Sequence, residues 1–232
     1  MVPGDPLLKN VRNNPVNGLT APLFLGLVLC LAGCTGSPNR LPYDAWYLGL
    51  LAPNYMEVWI ETADAVDVHD RVFRRAMSGV AAINTPSNLK GNPRGWPNYP
   101  GAGKGKHVRG ADLPRLIYVR WQSLVEPQTY EAYIPIPEAT RQAMVKGERA
   151  FCSFDGKWIT DYRYMLTVGL APGGVTKTWI GGPCLPPIEV ARVIGTVVKE
   201  GPYSGTSNGQ HRPLSETSRA YTEKYGIPYG SW

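Results

Sequence analysis

The chain has 232 residues, 43% of them hydrophobic, and 24 Lys and Arg against 18 Asp and Glu give a net charge of +6. That length suits one domain with a real apolar core, and the charge is too small and too dispersed to point to nucleic acid. Three isolated histidines, His69, His107 and His211, and four cysteines with no Cys-x-x-Cys spacing give a metal centre weak support.

Residues 1–20 carry Lys9 and Arg12 among Asn and Pro. They read as a cationic leader that is long for a signal, and a start nearer Val11 would shorten it. The next eleven residues, 21–31, are apolar and uncharged. A membrane-crossing helix needs roughly 20 residues, so this run fits the central segment of a secretory signal instead. It ends in Leu31-Ala32-Gly33-Cys34, which resembles the lipobox of bacterial lipoproteins. The resemblance implies cleavage before Cys34, a diacylglyceryl group on its sulfur and a fatty acyl chain such as palmitate on the new amino terminus. Small residues before the cut let a peptidase reach the backbone, and the thiol supplies the nucleophile. Residues 1–33 are then a signal peptide, 34–43 a lipidated tether of linker composition, and 44–232 a single domain. Cleavage removes Lys9, Arg12 and Asp5, which leaves +5 of the original +6. Thr35, where retained inner-membrane lipoproteins carry Asp, implies the outer membrane facing the periplasm.

Cys30 falls in the signal and Cys34 takes the lipid, so Cys152 and Cys184 remain. In an oxidising compartment a disulfide between them is the default. It would stabilise the fold by about 3–4 kcal/mol in the chain-entropy model. Two free thiols or half a metal site are the alternatives.

Aromatic and β-branched residues over 44–51 and 56–68 predict two strands split by a turn at Pro53-Asn54. Residues 70–83 are ambiguous. Val72, Phe73, Ala76, Met77 and Val80 have helical spacing behind a possible cap at Asp70, yet a strand ending at Ser78-Gly79 reads nearly as well. Residues 84–114, dominated by Pro, Gly, Asn and basic residues, predict a long loop of functional or mobile character. A strand over 115–125 and its hairpin partner over 129–134 follow. Pro137 and Gly147 frame a short helix over 138–146. Three more strands are predicted over 158–170, 175–180 and 188–199, then a loop over 201–213. A last helix spans 215–225, capped by Ser215 and stopped by Gly226. The fold class is mainly β (α+β), an antiparallel β-sandwich or curled sheet with two short peripheral helices.

The segment Leu113-Pro114-Arg115-Leu116-Ile117-Tyr118-Val119-Arg120-Trp121-Gln122-Ser123-Leu124, with Tyr130 and the run Ile134-Pro135-Ile136-Pro137, resembles the bacterial lipoprotein family DUF2931. So do Gly169-Leu170-Ala171-Pro172-Gly173-Gly174-Val175, Trp179-Ile180-Gly181-Gly182 and Ala52-Pro53. The similarity covers most of 44–200. It implies an exported lipoprotein without established enzymatic activity. Some members look like immunity proteins encoded beside type VI secretion phospholipase effectors.

Other motifs carry less. Gly205-Thr206-Ser207-Asn208-Gly209 has the letters of a nucleophile elbow with His211 nearby, but Pro202 and Pro213 leave no room for the strand and helix that strain such a turn. The glycine–lysine run from Gly101 to Lys106 fails the spacing of both phosphate loops, so no nucleotide cofactor is implied. It reads as a cationic loop facing water or an acidic partner. Asp64, Asp67 and Asp70 are expected to be solvated acids in a turn, without the spacing of a calcium loop. Trp46, Trp59, Trp121, Trp158 and Trp179 are expected in the core, and Trp96 and Trp232 are placed to meet a partner.

The expectation is a lipid-anchored, non-catalytic protein-binding domain of the cell envelope, an immunity protein against a phospholipase effector being one form of it. Trp96, Tyr99, Lys104, Lys106 and Arg109 are the candidate contact residues. The rivals are a structural or assembly lipoprotein and a hydrolase using Ser207.

Overall fold

The computed structural model describes residues 41–232. The expected signal peptide over 1–33, the lipidation site Cys34 and most of the tether over 34–43 lie outside the described residues. Two sheets face each other across one core. One has the order β11-β10-β9-β1-β4, the other β12-β6-β5-β2-β3. In the first, β1 (Trp46–Leu51) runs parallel to β9 (Met165–Ala171) and antiparallel to β4 (Lys104–Val108). Two further strands, β10 (Val175–Gly181) and β11 (Ile188–Ile194), complete it as a meander. The second sheet is wholly antiparallel. It holds β2 (Val58–Asp67), β3 (Val72–Val80), β5 (Pro114–Ser123), β6 (Gln128–Pro135) and the two-residue β12 (Thr196–Val197).

Period-2 alternation produces the core. Trp46, Leu48 and Leu50 of β1 and Leu166, Val168 and Leu170 of β9 point inward from one sheet. Ile117, Val119 and Trp121 of β5, with Ala132 and Ile134 of β6, meet them from the other. The chain changes sheets between β11 and β12 at Gly195. A Cβ there would lie 2.8 Å from both the Glu131 carbonyl oxygen and the Trp121 ring, so the corner admits only glycine.

Both predicted helices form. The first, α1 (Glu138–Val145), buries Thr140 and Met144. The second, α2 (Glu216–Tyr225), is capped by the Ser215 hydroxyl, which accepts from the Ser218 N–H, and ends at Gly226. Leu41–Trp232 forms one compact unit with its own apolar core. No helix among the described residues is long and apolar enough to cross a membrane.

Several readings need correction. Of the two readings of residues 70–83 the strand holds, as β3 over Val72–Val80: register shifts in the β2–β3 ladder stretch the spacing of its apolar residues towards a helical period. The loop expected over 84–114 contains β4, so Lys104 and Lys106 sit on a strand. They lie opposite the buried Leu50 and Leu48. Cations on the core side of an edge strand guard it against further strand addition. The stretch 158–170 is two strands, broken at Tyr162–Tyr164. Its first part, β8 (Lys157–Asp161), pairs with the unforeseen β7 (Glu148–Cys152) in a separate hairpin. On that hairpin Trp158 is 61% exposed instead of filling the core. Asp67, expected in water, is fully buried.

Candidate functional site

Strand glycines on the outer face of the first sheet determine what can lie on it. Between the inward residues of β9 come Met165, Thr167 and Gly169, facing outward. A Cβ on Gly169 would meet the Trp96 ring at 2.5 Å, and one on Gly49 would meet the Ala102 carbonyl oxygen at 1.7 Å. Two side chains are thus omitted where residues 84–103 cross the sheet. Trp96 stands edge-on to Trp179, centroids 5.4 Å apart. The Thr167 hydroxyl donates to the Gly101 carbonyl at 2.9 Å.

The C-terminal segment holds this loop from its other side. The Trp232 indole N–H donates to the Pro93 carbonyl at 2.8 Å. The Tyr55 hydroxyl donates to Pro86 at 3.0 Å and accepts from the Gly91 N–H at 2.9 Å. Its ring stacks on Tyr221 of α2 at 4.0 Å. Despite its composition, the long loop is ordered by side chains that aim at its backbone.

A cleft of about 670 Å³ remains on this face. Its floor is Met165, Thr167, Trp179 and Gly181; its walls are Tyr99 and Gly101 of the loop, Phe151, Ser153 and Phe154 of the hairpin, and Gly182 to Pro187. The Cys152–Cys184 disulfide, with Cα atoms 4.9 Å apart, ties the hairpin wall to the proline-rich wall. Asp161 reinforces the joint, its carboxylate accepting from the N–H groups of Tyr162 and Cys184, each at 2.8 Å. A Cβ on Gly182 would come within 2.7 Å of that carboxylate. At the hairpin base an ion pair joins Arg163 and Glu148.

The lining is mainly apolar, and its one ionisable side chain among the described residues is the Tyr99 phenol. Among the described residues no carboxylate, imidazole or ammonium group lines the cleft. Such a surface can take up an apolar group by shape and desolvation.

Of the contact residues expected from sequence, Tyr99 lines the cleft and is 74% exposed. Trp96 is half-buried beside the cleft, its ring packed on Gly169 and Trp179. Lys104 and Lys106 are exposed at the sheet edge, with Arg109 just past the end of β4, and none of the three lines the cleft. Trp232 is spent on the Pro93 contact. The cleft's main residues, Phe151, Phe154, Met165, Trp179 and Leu185, were missed. The available signal was glycine inside predicted strands, at Gly49 and Gly169.

Ser207 lies in a loop that follows the short turn Pro202–Gly205, not a strand. Its hydroxyl donates to the Pro202 carbonyl at 3.3 Å. The His211 ring nitrogen Nε2 sits 3.2 Å from the Thr129 hydroxyl, and burial lowers this imidazole's pKa despite the opposing pull of the Gly209 backbone and Glu61. Three groups on the second sheet fix the loop. Glu61 accepts from the Tyr203 N–H at 2.8 Å, Gln122 accepts from the Arg212 N–H at 2.8 Å, and Arg120 donates to the Gly201 carbonyl at 2.9 Å. Among the described residues no three His, Cys, Asp or Glu side chains cluster as metal ligands would.

A family model described as a protein of unknown function (DUF2931) matches residues 34–230. No curated protein and no solved structure matches the chain.

Proposed function

The chain belongs to the DUF2931 family, and from that premise we propose that it is a lipid-anchored envelope protein acting by binding another protein, not by catalysis. The observation that supports this reading is the disulfide-stapled, mainly apolar cleft, whose described lining residues include no acid–base pair. An apolar side chain of the partner fills the cleft. Lys104, Lys106 and Arg109, at the sheet edge away from the cleft, would meet acidic groups of a partner broad enough to reach that edge. Acylation of Cys34 holds the domain at the outer membrane, which raises its local concentration where a membrane-attacking partner works. An immunity protein that occludes a type VI phospholipase effector fits these terms, because occlusion needs complementary shape and no chemistry of its own. Two rival readings are a structural or assembly lipoprotein, and a hydrolase. The hydrolase would need the Ser207 hydroxyl beside an available imidazole, and His211 is engaged with Thr129.

The test is protection of cells that direct such an effector to their own periplasm. The unaltered chain restores growth. Leu185→Arg, which puts a charge into the cleft, abolishes rescue while the protein accumulates normally. Rescue at full strength by Leu185→Arg would reject the cleft as the binding site. Absence of rescue by the unaltered chain would reject the immunity role. Ser207→Ala leaves rescue unchanged.

A further inference from the structure

The β7–β8 hairpin stands apart from both sheets and hides little of itself. Ala150, Cys152 and Asp161 are buried, but Phe151 is 52% exposed, Trp158 61% and Phe154, in the turn, 85%. Phe151 lies directly opposite Trp158 in the ladder, their rings edge to face at 5.8 Å. Three large aromatics therefore share one side and the tip of this ribbon, Trp158 outside the cleft and Phe151 and Phe154 at its rim, where their exposed edges continue the same surface. An exposed apolar patch of this kind marks a contact surface.

The charges beside it narrow the kind of surface. The Arg149 guanidinium stands over the Trp158 ring at 5.6 Å. Lys157, exposed one residue away, pairs with Cys152 and so stems from the ribbon's other face, its long flexible chain able to reach the edge, and Asp155 in the turn is the single acid there. Glu148 is neutralised by Arg163. Aromatic rings next to guanidinium and ammonium groups suit the water–lipid boundary, where rings sit at headgroup depth and cations meet phosphates.

The entry point of the chain agrees with this. Tyr43 packs on Tyr162 at 5.9 Å and on Tyr164 at 5.6 Å, so the described chain begins at the foot of the hairpin. Cys34 lies nine positions before Tyr43, a span of at most ~32 Å when fully extended. An acyl chain on Cys34 would thus leave the hairpin within reach of the bilayer that holds it.

We propose that the β7–β8 hairpin is a membrane-interface contact, with Phe151, Phe154 and Trp158 seated at the headgroup level of an anionic bilayer and Arg149 and Lys157 against its phosphates. Its orientation rests on the anchoring proposed above, but its affinity for lipid does not. The hairpin gives the domain a second attachment and presents the cleft mouth beside the bilayer surface.

The experiment uses the unacylated unit Leu41–Trp232, so that Cys34 plays no part. It is mixed with vesicles of phosphatidylcholine and phosphatidylglycerol in equal parts, or of phosphatidylcholine alone. Co-sedimentation is expected with the mixed vesicles and weaker with the neutral ones, and added salt should reduce it. Phe154→Ser with Trp158→Ser, both at exposed positions, should lower the partition at least about tenfold with unchanged circular dichroism. Lipids brominated near the headgroup should quench indole fluorescence, and Trp158→Phe should remove that quenching while binding persists. Equal partition of the double variant, or quenching unaltered by Trp158→Phe, would overturn the proposal. So would a double variant that keeps its lipid binding and loses only a protein partner. Failure of acylation would show instead in the intact mass of the native product.

Discussion

Asp67 shows how one side chain can hold a turn together. Its carboxylate has no exposed surface, yet it accepts from the N–H groups of His69 at 2.9 Å and Arg71 at 3.1 Å and from the Arg71 guanidinium at 2.8 Å. Burial by itself would raise its pKa. The hydrogen bonds from Arg71, His69 and Asp112 outweigh that effect and bring it below the ordinary carboxylate value. A lowered native pKa means that stability is complete above the unfolded-state value and is lost as pH falls through the native one. Asp67→Asn should cost about 3 kcal/mol at neutral pH and flatten the acid limb of the stability curve. Urea unfolding across pH 7 to 3 measures both; an unchanged acid limb would remove Asp67 from this role. The sequence places this acid in a turn, but it cannot reveal the burial. The donors include the N–H of Asp112, which lies 45 positions away and is brought in only by the fold. Trp158 was misread for a related reason. A tryptophan in a strand usually fills a core, but the hairpin that carries it packs only its opposite side.

At the scale of elements, strands with a buried face were legible and strands without one were not. The strand β5 carries Ile117, Val119 and Trp121 at alternate positions, and its pattern announces it. In β4 the last residue, Val108, is the only buried one. It forms because β1 offers it a backbone ladder, a long-range cause that local composition does not record. The hairpin walls of the cleft were hidden likewise, since only Ala150 and Cys152 of β7 turn inward. Two predictions belong to these elements. Gly169→Val drives a methyl group into the Trp96 ring, so it should shift tryptophan emission to the red and cost about 2 kcal/mol. Unchanged emission would mean that Trp96 does not rest on the sheet. Reduction of Cys152–Cys184, which closes a loop of sequence separation 32, should cost about 3–4 kcal/mol. It should also expose the turn between β7 and β8, residues 153–156, to protease while the sandwich remains folded. Equal resistance before and after reduction would show that the staple does not fix the cleft.

For the molecule as a whole, the β-rich class, the two marginal helices and the joining of Cys152 to Cys184 could be read in advance, because alternation, caps and cysteine number are local signals. The cleft could not. It is assembled from a loop, two strands, a hairpin and a proline-rich segment, and only packing brings them to one face. Anchoring belongs to this scale too. Cys34→Ser should release the domain into the soluble periplasmic fraction or leave the leader uncleaved, as membrane fractionation would show; unchanged membrane attachment would contradict acylation at that thiol. The binding role of the cleft is tested most directly by a photo-crosslinking residue placed at Leu185, and in parallel at Tyr133, which is 59% exposed on the second sheet. Irradiated in the intact envelope, position 185 should yield one discrete protein adduct that position 133 does not. The same adducts from both positions, or no protein adduct from position 185, would contradict the assignment of the cleft as the place where the partner sits.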